Sequence, residues 1–221
     1  MSITSEIQQL NRELPGTTKL VAVSKFHPVE SIQEAYDAGQ RIFGESRVQE
    51  LCQKIPQLPS DIEWHLIGHL QTNKIKQVVP YVSLIHSVDS VKLLMEINRE
   101  GELIRRVVPC LLQIHVAQED TKFGFTPEGC KTLMASGFIQ DLKYVRIRGL
   151  MCMASLTDDA TRIRSEFNTV KHLYDELKST YSSALPMFNE LSMGMSDDYK
   201  QAIEFGSTLV RIGSRIFGQR Y

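Results

Sequence analysis

No apolar run in this 221-residue chain approaches the length of a membrane span. The greasiest stretch, Val107 to Val116, is the size of one strand. Cysteine is scarce: Cys52, Cys110, Cys130 and Cys152 stand far apart with no Cys-x-x-Cys pair. A chain this long can bury its own core, so we read them as reduced, mostly core thiols of a cytoplasmic protein. An excess of one charge is also missing. Lys plus Arg is 25 and Asp plus Glu is 26, for a net charge of −1, which lacks the global footprint of a nucleic-acid binder. The first ten residues have no basic start and no apolar stretch, so a signal peptide is not expected. There is no Ser/Gly-rich linker, short-period repeat or shift in composition, and residues 1–221 read as a single domain. What remains is ordinary globular usage, 42% apolar and 23% charged.

The pattern that is present is an alternation. Ile3, Ile7, Leu10 and Leu14 make a helical stripe stopped by Pro15-Gly16. Lys19 to Ser24 reads as a first strand, and a helix begins near Pro28 and closes at Gly39. Further strands are expected at Ile42 to Gly44, Ile62 to Ile67, Tyr81 to His86, Val107 to Val116, Tyr144 to Met151, Met187 to Leu191 and Leu209 to Ile212. Helices fall between nearly all of them. One is capped by Asp89 or Ser90, one opens with Thr126-Pro127-Glu128, and a long one carries Ile163, Phe167, Val170, Leu173, Leu177 and Tyr181 on one face. Asp197 to Glu204 and Ser214 to Phe217 read as the last helical segments. Eight strands alternating with helices predict an α/β fold, a single (β/α)8 TIM-type barrel with an extra N-terminal helix; an open doubly wound sheet is the alternative.

In such a barrel, chemistry sits at the C-terminal ends of the strands. After strand one stands Ser24-Lys25-Phe26-His27. Lys25 shares a strand face with Val21 and Val23. It is either a desolvated, nucleophilic amine fit for a carbonyl partner, or a lysine snorkelling at a strand end. Strand seven leads into Ser192-Met193-Gly194-Met195-Ser196-Asp197-Asp198 and strand eight into Arg211-Ile212-Gly213-Ser214-Arg215. Loops after these two strands are the frequent phosphate site of barrels; equally, Ser and Gly make plain capped turns. His65 and His69 lack the helix and the third ligand of a metal site, and we read them as ordinary strand and loop histidines. His27 reads as a helix-capping neighbour of Lys25, and Asp120-Thr-Lys122-Phe-Gly124 as a polar loop facing the same mouth.

Six ordered motifs then carry a resemblance. They are Ala-Val-Ser-Lys25-Phe-His-Pro28, Phe-Gly-Glu-Ser46-Arg-Val-Gln-Glu50, Trp64-His-Leu-Ile-Gly68-His-Leu-Gln-Thr-Asn-Lys74, Arg148-Gly-Leu-Met151, Leu191-Ser-Met-Gly-Met-Ser-Asp-Asp198 and Val210-Arg-Ile-Gly-Ser-Arg-Ile-Phe-Gly218. Together they resemble the pyridoxal-phosphate homeostasis protein family, whose barrel is similar to the N-terminal domain of alanine racemase. The resemblance implies pyridoxal 5'-phosphate as cofactor and Lys25 as its Schiff-base lysine. It implies that Ser192, Met193, Gly194, Gly213 and Ser214 lie in the loops holding the phosphate. It puts Arg211 against the pyridine nitrogen, and adds Ser46 and Met151 to the cofactor site. Ser46 stands where family members often carry Asn, and Arg47 where Tyr is common; a Ser reaches the cofactor through water.

The resemblance also implies a protein without robust catalysis, associated with vitamin B6 balance and amino- and keto-acid pools. Racemisation needs acid/base groups on both faces of the substrate. The racemase takes one of these, a tyrosine, from a second domain and a partner chain, and no counterpart is expected within this chain. An arginine at the ring nitrogen also disfavours its protonation and weakens the ring as an electron sink. The expectation is a monomeric, non-enzymatic cofactor carrier, with transfer to apo-enzymes or a regulatory protein partner as its possible outlets. A weak racemase-like or transaminase-like enzyme is the alternative.

Overall fold

The structure, a computed structural model, describes residues 2–116 and 123–218. Eight parallel strands close into a barrel in sequence order. They are β1 (Lys19–Val23), β2 (Ile42–Glu45), β3 (Glu63–Leu66), β4 (Leu84–Val88), β5 (Val108–Ile114), β6 (Val145–Cys152), β7 (Glu190–Ser192) and β8 (Leu209–Ile212). Closure is direct: Val21 of β1 lies beside Arg211 of β8, and Ala22 beside Ile212. The open sheet is therefore excluded. Outside the strands lie α1 (Ile3–Glu13), α2 (Val29–Asp37), α3 (Val48–Lys54), α4 (Ile75–Val78), α5 (Val91–Leu103), α6 (Pro127–Ala135), α7 (Phe138–Asp141), α8 (Ala160–Thr180), α9 (Tyr199–Glu204) and α10 (Ser214–Phe217). None of the described helices is long and apolar enough to cross a membrane.

Strand alternation sorts the side chains into two cores. Val21, Leu84, Leu111, Met151 and Leu209, each from a different strand, cluster inside the barrel. Their strand neighbours Leu20, Ala22, Val210 and Ile212 pack outward with the helices, around Phe43, Trp64 and Phe167. Helix starts follow capping chemistry. The hydroxyls of Ser2, Ser90 and Thr126 accept from backbone N–H groups three residues on, and Asp159 caps α8.

Two strands start later than their apolar runs suggest. Tyr81 and Val82 still bond back to the Val78 carbonyl, so they finish a helical turn, and β4 begins only at Leu84. Phe188 bonds to Leu185, so β7 is confined to Glu190–Ser192. α9 also starts late, at Tyr199, because the Asp198 carboxylate turns back to accept from the Met195 N–H at 2.5 Å.

The extra helix α1 fills the outer ring beside α2 and the short α10. Arg215 of α10 donates to both Glu13 oxygens at 2.8 and 3.0 Å and to Glu6 Oε2 at 3.0 Å. The Tyr199 hydroxyl joins the group, donating to Glu13 at 2.8 Å. Hydrogen bonding from Arg215, then from Tyr199, holds the Glu13 carboxyl down to about 2, against 4.5 for a free glutamate. Between these values the unfolded chain binds the extra proton, so the stabilisation is present above pH 4.5 and fades as pH falls toward 2. The stability difference between wild type and Arg215→Met is accordingly expected to be widest above that window and to close through it. Urea unfolding at stepped pH checks this; a gap that stays constant or widens on acidification would refute it.

Candidate cofactor site

The mouth at the C-terminal strand ends gathers residues from both ends of the chain. Lys25 stands two residues beyond β1, and β1 pairs with β8, so barrel closure sets the segment after β1 alongside the 213–214 loop. The contact is tight: a Cβ added to Gly213 would sit 3.0 Å from the Val23 carbonyl oxygen and 3.2 Å from its Cβ. Gly194 has φ +91, and a Cβ there would meet Ala202 at 2.7 Å and Tyr199 Cα at 2.8 Å. Only glycine fits that turn. The two loops are joined, as the Gly213 N–H donates to Ser196 Oγ at 3.4 Å. Ser214 is exposed at the start of α10, where the Ile216 and Phe217 N–H groups bond back to the Gly213 carbonyl while those of Ser214 and Arg215 have no partner within the helix. Small residues and open donors form a cradle that fits a phosphate.

The turn carrying Lys25 is fixed by buried charge rather than by the strand. β1 ends at Val23, so alternation does not reach Lys25, which is partly buried. Phe26 has φ +69, a left-handed conformation that costs a bulky residue energy. It is held by Glu50, whose Oε1 accepts from the Phe26 N–H at 2.6 Å. Lys54, with 5% of its surface exposed, donates to Glu50 at 2.6 Å, to Glu45 at 2.7 Å and to the Ser24 carbonyl at 2.8 Å. Ser24 Oγ donates to Glu45 at 2.6 Å. Sequence reasoning assigned none of these residues. The signal was legible: Val48, Leu51 and Lys54 follow helical spacing, which places a lysine on the buried stripe of α3.

Arg211 lies on the inner face of β8, 4% exposed. Nη1 donates to the Ser192 carbonyl at 2.9 Å and to Ser192 Oγ at 2.5 Å, and Nη2 donates to the Cys152 carbonyl at 2.8 Å. Among the described residues no carboxylate forms an ion pair with it, and burial lowers its pKa. A buried guanidinium with neutral acceptors leaves positive potential and spare N–H donors for a ligand.

The other expected residues divide. Ser192 is buried inside the barrel, beneath the loops rather than in them. Met151 belongs to the interior cluster, paired with Ser192 in the strand register. Met193 faces the outer core, and its backbone N–H and carbonyl are both engaged by the Ser207 hydroxyl. Ser46 is partly buried at the mouth with its backbone against Gly68, and Arg47 stacks its guanidinium over the Phe26 ring at 4.6 Å. His27 stacks on Phe217 at 5.1 Å. His69 bonds to Asp89 at 2.9 Å and stacks on Phe123. No group of three or more metal-ligating side chains occurs among the described residues. Asp120, Thr121 and Lys122 lie outside the described residues. The cysteines are free, and burial pushes the Cys130 and Cys152 thiols up to about 12, which makes them inert core groups.

Known proteins share both sequence and shape with this chain. The alanine racemase N-terminal domain family matches residues 2–221. A pyridoxal phosphate homeostasis protein of Schizosaccharomyces pombe is 40% identical over 220 residues, covering 99% of this chain and 90% of that protein. PipY of Synechococcus elongatus PCC7942, solved without PLP, superposes with a TM-score of 0.91 at 37% identity, covering 98% of this chain and all of that one. The same protein with PLP bound superposes at 0.88 and 36% identity, with the same coverage. A barrel closed in the same way, with near-complete coverage in sequence and in structure, has one reading: the chain belongs to the pyridoxal phosphate homeostasis protein family, built on the alanine racemase N-terminal domain fold.

Proposed function

We propose that this protein binds pyridoxal 5'-phosphate at the barrel mouth and serves as a non-enzymatic carrier and regulator of the cofactor. What supports the reading is the arrangement at one mouth: the turn with Lys25 follows β1, the 213–214 loop packs on Val23 and is bonded to Ser196, and the buried Arg211 lies on β8. Each suits one part of the ligand. The loops offer close approach and open N–H donors to a phosphate. Arg211 offers a donor to a pyridine nitrogen, which accepts only while unprotonated. Lys25 would supply the amine for a reversible covalent link to the aldehyde of the cofactor. Bound in this way, the cofactor supplies a reactive aldehyde and a ring able to take up electron density. Arg211 restrains the second property by keeping a permanent positive charge at the ring edge, which favours holding the cofactor over turning over amino acids. A reversible link lets it leave for apo-enzymes. A monomer in the cytoplasm completes the reading, and the four free thiols agree with a reducing compartment.

The test is the absorption spectrum of the purified protein with pyridoxal phosphate, before and after borohydride, followed by peptide mass mapping. A yellow protein that bleaches, with the added mass on Lys25, is expected. A protein that stays colourless with excess cofactor would refute the assignment.

A further inference from the structure

Two buried imidazoles inside the barrel have no part in the reading so far. His86 stands two residues after the inward-facing Leu84 on β4, and His65 lies on β3 beside Leu84. His86 is fully buried and His65 nearly so. Their rings are 5.0 Å apart between centroids. His86 Nε2 is 3.0 Å from His65 Nδ1, and His86 Nδ1 is 3.0 Å from Ser192 Oγ, the atom that Arg211 also bonds.

Donor and acceptor rules give this chain one direction. A guanidinium only donates, so Ser192 Oγ accepts from Arg211. The Ser192 O–H then needs an acceptor of its own, because leaving a buried hydroxyl without one is unfavourable. His86 Nδ1 is the acceptor in reach. A neutral imidazole that accepts at Nδ1 carries its proton on Nε2, so His86 donates to His65 Nδ1. His65 in turn carries its proton on Nε2, and lines a cavity of about 110 Å³ at the N-terminal end of the barrel with Lys19, Glu63, Arg148 and Glu190. Protonation of either ring is opposed. Burial, with the charge of Lys19, lowers His65 to about 3. Burial, with the charges of His65 and Arg211, takes His86 well below its ordinary value.

We propose that His65 and His86 are positioning residues of the cofactor site: as Nε2–H tautomers they orient the Ser192 hydroxyl, which fixes the Arg211 guanidinium beneath the barrel mouth. The relay itself is a property of the ligand-free protein; its effect on the cofactor rests on the function proposed above.

The test has two arms. In ligand-free wild-type protein at neutral pH, long-range ¹⁵N–¹H spectra of the imidazoles are expected to show His65 and His86 both as Nε2–H tautomers. A proton on His86 Nδ1, or a charged ring, would overturn the relay. In the second arm, His86→Leu leaves the Ser192 hydroxyl without its acceptor. It is expected to weaken pyridoxal phosphate binding about 10-fold and to shift the absorption band of the bound cofactor. His86→Gln has an oxygen to accept from Ser192 and an amide to donate to His65, and is expected to restore affinity to within about 2-fold of wild type. Equal loss in both variants, or no loss in either, would overturn the positioning role. Wild-type protein that binds no pyridoxal phosphate would instead sink the cofactor reading, and the tautomers alone would then decide the relay.

Discussion

Replacing Lys25 with Ala is expected to abolish borohydride-fixed pyridoxal phosphate, while a weaker, phosphate-anchored complex persists. The two losses separate because the site has separate parts. The 194–196 and 213–214 loops and Arg211 are untouched by the change, and the amine alone makes the covalent bond. Affinity is expected to fall on the order of 100-fold, roughly 2.8 kcal/mol at 1.4 kcal/mol per tenfold. Lys25→Arg keeps a charge of similar reach but cannot lose its proton near neutral pH, so it should fail to form the adduct just as Ala does. Lys54 and Lys19 are poor substitutes. Lys54 has all three N–H bonds committed, to Ser24, Glu45 and Glu50, and Lys19 sits at the opposite end of the barrel. Adduct mass mapped to either of these, or adduct surviving in Lys25→Ala, would overturn the assignment. Equilibrium dialysis of the variant measures the residual, non-covalent affinity.

The parts of this molecule that could be read from its sequence are those set by local chemistry. β8 and α10 lie at Leu209–Ile212 and Ser214–Phe217, as their apolar run and following turn suggest. Thr126-Pro127 opens α6 as its capping chemistry dictates. The starts of β4 and β7 were not legible, because Tyr81, Val82 and Phe188 have strand-forming side chains but spend their backbone N–H bonds in turns. The mouth followed from strand order alone, since any closed barrel brings the loop after β1 to the loop after β8. Ser192 shows the limit of that argument: it is the last residue of β7 and is buried, whereas the strand pattern ended the strand at Leu191. His65 was legible as a strand histidine, but its bond to His86 depends on two strands lying side by side. The burial of Lys54 was legible from its helical spacing, but its partners were hidden for the same reason. The charges of this cluster come from β2 and α3, and become a unit only when α3 packs onto the strand.

That cluster gives the second large effect, because removing Lys54 strands a buried charge. Glu45 has no exposed side-chain surface, and its Oε2 has no hydrogen-bond partner among the described residues. Burial already raises its pKa, and Lys54 is the first of the groups opposing that rise. Lys54→Met leaves a similar volume with no cation, and is expected to cost about 3–5 kcal/mol at neutral pH, the usual penalty for breaking a buried pair from one side. The sign of the pH dependence follows. With Lys54 gone, the folded Glu45 carboxyl holds its proton to still higher pH than the unfolded one does. The variant therefore loses stability as pH rises through that range and regains it on acidification. Urea unfolding near pH 5 and near pH 8 should show the larger deficit at the higher pH, and Glu45→Gln in the same background should recover much of it. A deficit under about 1 kcal/mol at neutral pH would place the pair in the class of exposed ion pairs and refute the argument. The consequence reaches Lys25. Lys54 holds Glu50 and the Ser24 carbonyl, and Glu50 holds Phe26 at φ +69. A left-handed conformation is costly for a bulky residue such as Phe26, so once the clamp is loosened the turn is expected to relax. A doubly substituted protein, refolded by Glu45→Gln but still without Lys54, should then bind pyridoxal phosphate while forming the Lys25 adduct more slowly, a defect in placement separated from one in stability.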